Sequence, residues 1–172
     1  MKRRIYLFRH GKSSWDEPKR EDRERDLTAR GRAAAEKMGG WCAANGVKPG
    51  LVLCSTATRA RETLARLLPH LQAAGRIEFE DGLYLASAGE LMARLRRVDD
   101  SVKAVMVVGH NPGLQELGLL LAGDGAAGAL PRFNAKFPTA ALAELSVELK
   151  RWRDLDADAA KLERLIFPRE LP

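Results

Sequence analysis

Four apolar residues, Ile5-Tyr6-Leu7-Phe8, run directly into Arg9-His10-Gly11-Lys12-Ser13, and this junction constrains the fold more than any other stretch of the chain. Consecutive β-branched, aromatic and aliphatic side chains suit a strand buried on both faces, the kind found in parallel sheets covered by helices. Ligands of open α/β sheets sit outside the carboxyl ends of the strands. The guanidinium of Arg9 and the imidazole of His10 are thus delivered to the end of the sheet where chemistry is done.

Two further segments repeat the pattern. LVLCS (51–55) follows Pro49-Gly50 and ends in small polar residues, and AVMVV (104–108) ends in Gly109-His110-Asn111-Pro112. Segments with helical spacing separate these strands. Thr28 is predicted to cap a first helix carrying Ala34, Met38, Trp41 and Cys42, which stops at Asn45-Gly46. Within it, Gly39-Gly40 costs ~2 kcal/mol in total unless close packing compensates. Ser55 or Thr56 is expected to cap a second helix with the stripe Ala60, Leu64, Leu67, Leu68 and Leu71. Arg59 and Arg61 fall near its start, where the helix dipole disfavours each cation by about 0.3–1 kcal/mol unless an anion is bound beside it.

Ser87 to Glu90 has capping-box spacing for a third helix carrying Leu91, Leu95 and Val98. Asn111 as cap and Pro112 at the first position open a fourth, which carries Leu114, Leu117 and Leu121 and ends at Gly123. Residues 76–79, 140–149 and 161–167 are short strand candidates, the last two at or near an edge of the sheet. Residues 12–27 and 123–138 read as surface loops. Strands alternating with helices imply an α/β fold, a three-layer sandwich with a mostly parallel central sheet.

The 172 residues, 45% of them hydrophobic, suit one domain spanning 1–172 with a sizeable core. A formal charge of +6 allows an anionic partner without choosing one. Nucleic acid is not expected, because the cations are interleaved with acids, as in KREDRERD (19–26), and no nucleic-acid-binding motif is present. The short apolar run after MKRR is too brief for a signal-peptide core, and no later run has the length of a membrane span, so a soluble, cytoplasmic protein is expected. Cys42 and Cys54 have no metal-ligand spacing and read as buried thiols.

If the three strands are parallel neighbours, their ends bring together Arg9, His10, Arg59 and His110. Like charges at one point repel and depress histidine pKa values, and a bound dianion would relieve the conflict. Guanidinium forks match phosphoryl oxygens, and a neutral imidazole nitrogen among them can attack phosphorus in line.

These motifs in this order, Arg9-His10-Gly11, Ser55-Thr56-Ala57-Thr58-Arg59-Ala60 and Gly109-His110-Asn111-Pro112, resemble the signature of the histidine phosphatase superfamily, with its phosphoglycerate mutase-like fold. RHGKSSWD (9–16), RDLTARG (25–31) and DGLYLAS (81–87) resemble its SixA-type protein phosphohistidine phosphatases in particular. The resemblance implies that His10 is the nucleophile and becomes phosphorylated. It also implies that Arg9 and Arg59 clamp the phosphoryl oxygens, that His110 binds the same group, and that Ser13 adds a hydrogen bond. No metal and no cofactor is implied.

One departure from the superfamily bears on the substrate. Mutase and many phosphomonoesterase branches place a glutamate shortly after the third strand to protonate the leaving oxygen. Here DGLYLASAGE offers only Asp81, a candidate substitute acid, and then Glu90 well beyond it. An alkoxide needs that proton, whereas the imidazole of a phosphoramidate leaves without a dedicated acid. The resemblance with this departure favours phosphohistidine in a phosphorelay-type protein. A small phosphorylated molecule is the alternative substrate, and a non-catalytic phosphoprotein-binding module the alternative of another class. His70 reads as packing or surface. Trp15 reads equally as lining the site mouth or as packing, and Arg132 and Lys136 read as solvated, with steering of an acidic partner as the alternative.

Overall fold

Seven strands, β1 (Lys2–Arg9), β2 (Leu51–Ser55), β3 (Arg76–Glu80), β4 (Ala104–Gly109), β5 (Ala122–Gly125), β6 (Leu142–Glu148) and β7 (Ala160–Ile166), form a single sheet in the order β3-β2-β4-β1-β6-β7-β5. They belong to a computed structural model that describes residues 1–71 and 74–172. Among the described residues β6 alone runs antiparallel to its neighbours, β1 and β7. The helices are α1 (Ala29–Ala44), α2 (Thr58–Leu67), α3 (Ala88–Leu95), α4 (Gly113–Leu121) and α5 (Ala129–Ala135). None among the described residues is long and apolar enough to cross a membrane.

The central strands bury both faces because their side chains alternate between two cores. Ile5 and Leu7 of β1 join Leu91, Leu95, Leu114, Leu117 and Phe133 of α3, α4 and α5. Tyr6 and Phe8 join Met38, Cys42, Leu64 and Leu67 of α1 and α2. The result is the expected three-layer α/β sandwich with a mostly parallel sheet. Adjacent strands β1 and β4 send their following helices, α1 and α4, to opposite faces, which opens a crevice at their carboxyl ends.

Several local expectations are met. Thr28 Oγ1 accepts from Gly31 N–H at the start of α1, and Ser87 with Glu90 closes a full capping box on α3. Gly39 makes room for the ring of His70, whose Cδ2 lies 2.6 Å from where a Cβ would stand, so one glycine of the α1 pair has its packing reason. Both cysteines are buried, and burial pushes each thiol up to about 12.

The region 123–138 differs from the expected loop. It contains most of β5 and all of α5, because Phe133 fills the space over Gly118, where a Cβ would meet the ring at 2.4 Å. Edge strand β5 pairs in parallel with β7, and α4 ends at Leu121 rather than at Gly123. A four-residue strand holding two glycines and a seven-residue helix holding a proline carry too little periodicity to be read from sequence.

Neither Ser55 nor Thr56 caps α2. The flanking residue is Ala57, whose N–H donates to Ser55 Oγ (3.2 Å); Thr56 bonds to Asp81, and Ser55 also contacts His110. Helix α4 begins one residue later than expected, at Gly113, although Asn111 Oδ1 does accept from Gln115 N–H (3.3 Å).

Candidate active site

The register of β1 on β4 places Arg9 opposite Gly109, so His10 and His110 leave the sheet side by side. Their ring centroids are 5.2 Å apart. His10 N–H donates to Gly109 O (3.0 Å), which ties the two strand ends together. β2 lies on the other side of β4 and brings Ser55, then Arg59 in the first turn of α2. A cleft of about 450 Å³ is lined by Arg9, His10, Ser13, Asp22, Arg59 and His110, among others.

The His10 ring is oriented from both sides. Nδ1 stands 2.6 Å from Gly11 O, an oxygen that can only accept, so Nδ1 carries the proton. Arg59 Nε donates to Nε2 (3.3 Å), which therefore presents its lone pair. Thr63 fixes the loop that supplies this carbonyl: its Oγ1 accepts from Gly11 N–H (2.9 Å) and donates to Arg59 O (2.7 Å). Burial is the largest influence on the ring, and with Arg59 and Arg9 nearby it holds His10 down to about 4. His110 is held down to about 3, first by burial and then by His10 and Arg59. The sequence pointed to like-charge repulsion; loss of water contributes more.

Arg9 Nη1 donates to Phe137 O (2.9 Å), while its Nε and His110 Nδ1 are buried without a hydrogen-bond partner among the described residues. Buried polar groups are almost always paired, and an anion in the cleft would supply the acceptor that the Arg9 Nε–H lacks. Ser13 lines the cleft, and its Oγ accepts from Arg25 Nη1 (2.6 Å). Trp15 also lines the mouth and lies under the Arg25 guanidinium, 3.6 Å from ring centroid to Cζ.

The chain matches the sequence model of the histidine phosphatase superfamily (branch 1) over residues 5–101. It belongs to that superfamily. An uncharacterized protein of Mycobacterium tuberculosis is 38% identical over 165 residues, covering 94% of this chain and 100% of the relative. Two solved structures, of the proposed phosphohistidine phosphatases SixA from Nakamurella multipartitia and Agrobacterium tumefaciens, are similar at 31% and 28% identity. Their TM-scores are 0.81 and 0.79, the first covering 98% of this chain and 97% of its own, the second 96% and 98%.

The cleft of this histidine phosphatase superfamily member also holds residues that sequence reasoning passed over. Asp22 and Arg25 belong to the charge-dense segment read as solvated surface, yet both turn into the cleft. Arg59 donates to Asp22 O (2.6 Å) and to its Oδ2 (3.0 Å), and Arg25 donates to Oδ1 through Nε (3.1 Å) and Nη2 (3.0 Å). Tyr84 also donates to Oδ2 and sets its ring edge-on to His110 at 5.3 Å. With Tyr84 and two arginines bonded to it, the Asp22 carboxyl is held far below the usual carboxylate range. The signal available was the Asp-x-x-Arg spacing before the buried Leu27, which dense neighbouring charge disguised.

Asp81 does not line the cleft. It is 78% exposed and bonded to Thr56 Oγ1 (2.6 Å) and Arg23, contacts that lower its pKa. Glu90 is committed to the capping box. His70 packs on α1 and pairs with Glu36 (3.2 Å). Arg132 pairs with Glu170 (2.5 Å).

Proposed function

We propose that this protein is a metal-independent phosphatase that forms a phosphohistidine on His10, and that its substrates are phosphohistidine side chains of proteins of the phosphorelay type. The observation that carries the reading is the His10 ring, neutral, with its proton fixed at Nδ1 and its Nε2 lone pair facing a cationic cleft. Nε2 gives up the hydrogen bond it accepts from Arg59 Nε and attacks phosphorus as the bond from phosphorus to the substrate imidazole breaks in line with it. The positive charge that develops on the His10 ring is stabilised by Gly11 O at Nδ1–H. Arg9 and Arg59 hold the phosphoryl oxygens. Ser55 Oγ stands 2.7 Å from His110 Nε2, and in the tautomer where the hydroxyl donates to Nε2 the otherwise unpaired Nδ1 carries a proton for the same group. Water then attacks phosphorus, the bond to His10 breaks, and the neutral imidazole is restored.

The carboxylates support the choice of a P–N bond. Asp22 and Asp81 are both held ionised, and an ionised carboxylate cannot protonate a leaving alkoxide. A substrate imidazole whose second ring nitrogen is protonated departs as a neutral base.

The test compares hydrolysis of a phosphohistidine-bearing phosphotransfer protein with that of an aryl phosphate, in excess chelator, by wild type and His10→Ala. Preference for the protein substrate, chelator-insensitive and lost in the variant, is the expected result. Better turnover of the ester would point to the small-molecule phosphomonoesterase instead. Failure of labelled phosphate to appear on His10 would leave only a binding module.

A further inference from the structure

A second concavity, of about 400 Å³, adjoins the catalytic cleft and shares Lys12 and Thr139 with it. One wall is a face of α1, where Arg30, Ala33, Ala34 and Lys37 recur at helical spacing and span roughly 10 Å along the axis. The other wall is Pro138 with Pro168 and Arg169 near the carboxyl end of the chain. Lys12, Arg30, Lys37 and Arg169 are all exposed, and no carboxylate lines the groove. Acids close in sequence are turned to other partners: Glu36 to Arg66 and the His70 ring, Glu170 to Arg132. Among the described residues none of the four has an acidic partner, so the groove keeps an uncompensated positive charge.

We propose that this groove docks an acidic face of the protein substrate and so presents the phosphoryl group to His10, an inference that rests on the phosphoprotein reading above. Flexible, exposed cations spread along a helix match an extended negative surface rather than a compact small anion, which is usually held by buried, convergent donors. The alanines and prolines between the cations form a shallow apolar floor for the non-charged part of such a surface. Complementary charge of this kind accelerates encounter and fixes register.

The experiment uses the full chain with the double substitution Lys37→Glu and Arg169→Glu, neither residue lining the catalytic cleft. The substrates are a phosphotransfer protein with carboxylates around its phosphohistidine, free phosphoramidate, and a nucleoside bisphosphate. Expected is a ten- to hundred-fold fall in kcat/KM on the protein, carried mainly by KM, with phosphoramidate unaffected, and a weaker salt dependence than wild type. Lys37→Arg with Arg169→Lys should keep wild-type behaviour. An equal fall on all substrates, or none on the protein, overturns the proposal, as does a fall confined to the bisphosphate. Binding of the unphosphorylated acidic protein to His10→Ala, with and without the charge reversals, separates the two readings. Binding abolished by the reversals while wild type fails to cleave phosphohistidine refutes the substrate assignment and keeps the groove. Binding indifferent to them refutes the groove alone.

Discussion

Acidifying the free protein should leave His10 uncharged long after an ordinary histidine has been protonated, at a measurable cost in stability. Its pKa is about 4 in the fold, against 6.5 for an ordinary histidine, chiefly because burial disfavours the charged ring. Between those values the unfolded chain binds a proton that the folded chain does not, so stability is full above pH 6.5 and falls as pH drops towards 4. Each pH unit in that window costs about 1.36 kcal/mol for one such group, which gives about 2 kcal/mol between pH 7 and pH 5 for His10 alone. His110, held down to about 3, adds a loss of the same sign over a wider window. Urea unfolding at the two pH values, on wild type and on His10→Asn, isolates the first contribution. The variant should lose about 2 kcal/mol less than wild type over the same step. NMR titration should show the His10 ring unprotonated at pH 5. Equal losses in the two proteins, or a His10 midpoint near 6.5, would refute the argument and with it the neutral nucleophile.

Asp22→Asn removes the carboxylate that Arg59 and Arg25 share. At roughly 6–7 Å across the guanidinium and in a half-wet cleft, that charge opposes a phosphate dianion by about 1–2 kcal/mol, so inorganic phosphate should inhibit the variant on the order of tenfold more tightly. Its kcat should fall, because Arg59 loses the partner that orients it. Unchanged phosphate inhibition would contradict this role. Gly31→Ala puts a Cβ 2.3 Å from Lys12 O, backbone against backbone. It should cost about 1–3 kcal/mol and distort the loop that carries the Gly11 carbonyl. Thermal unfolding and kcat should both report the change, and wild-type values in both would show that the loop can give way.

The chain's local chemistry determined much of this molecule. Unbroken apolar runs at 51–55 and 104–108, like that before Arg9, can be hidden only between helical layers, so the sandwich and the convergence of Arg9, His10, Arg59 and His110 were legible from periodicity and position. Motif order supplied the superfamily. Three things depended on tertiary structure, because each arises from contacts between residues distant in sequence. Asp22 becomes a cleft residue only when the 12–27 segment folds back onto Arg59, 37 positions away. Ser55 accepts from Ala57 N–H (3.2 Å) just before α2 instead of capping it, and its hydroxyl meets His110 from the loop after β4 at 2.7 Å. The groove of unpaired cations exists only where α1 meets the carboxyl-terminal segment. A sequence displays charge and spacing; desolvation, which most strongly shifts both site histidines, appears only when the cores close around them.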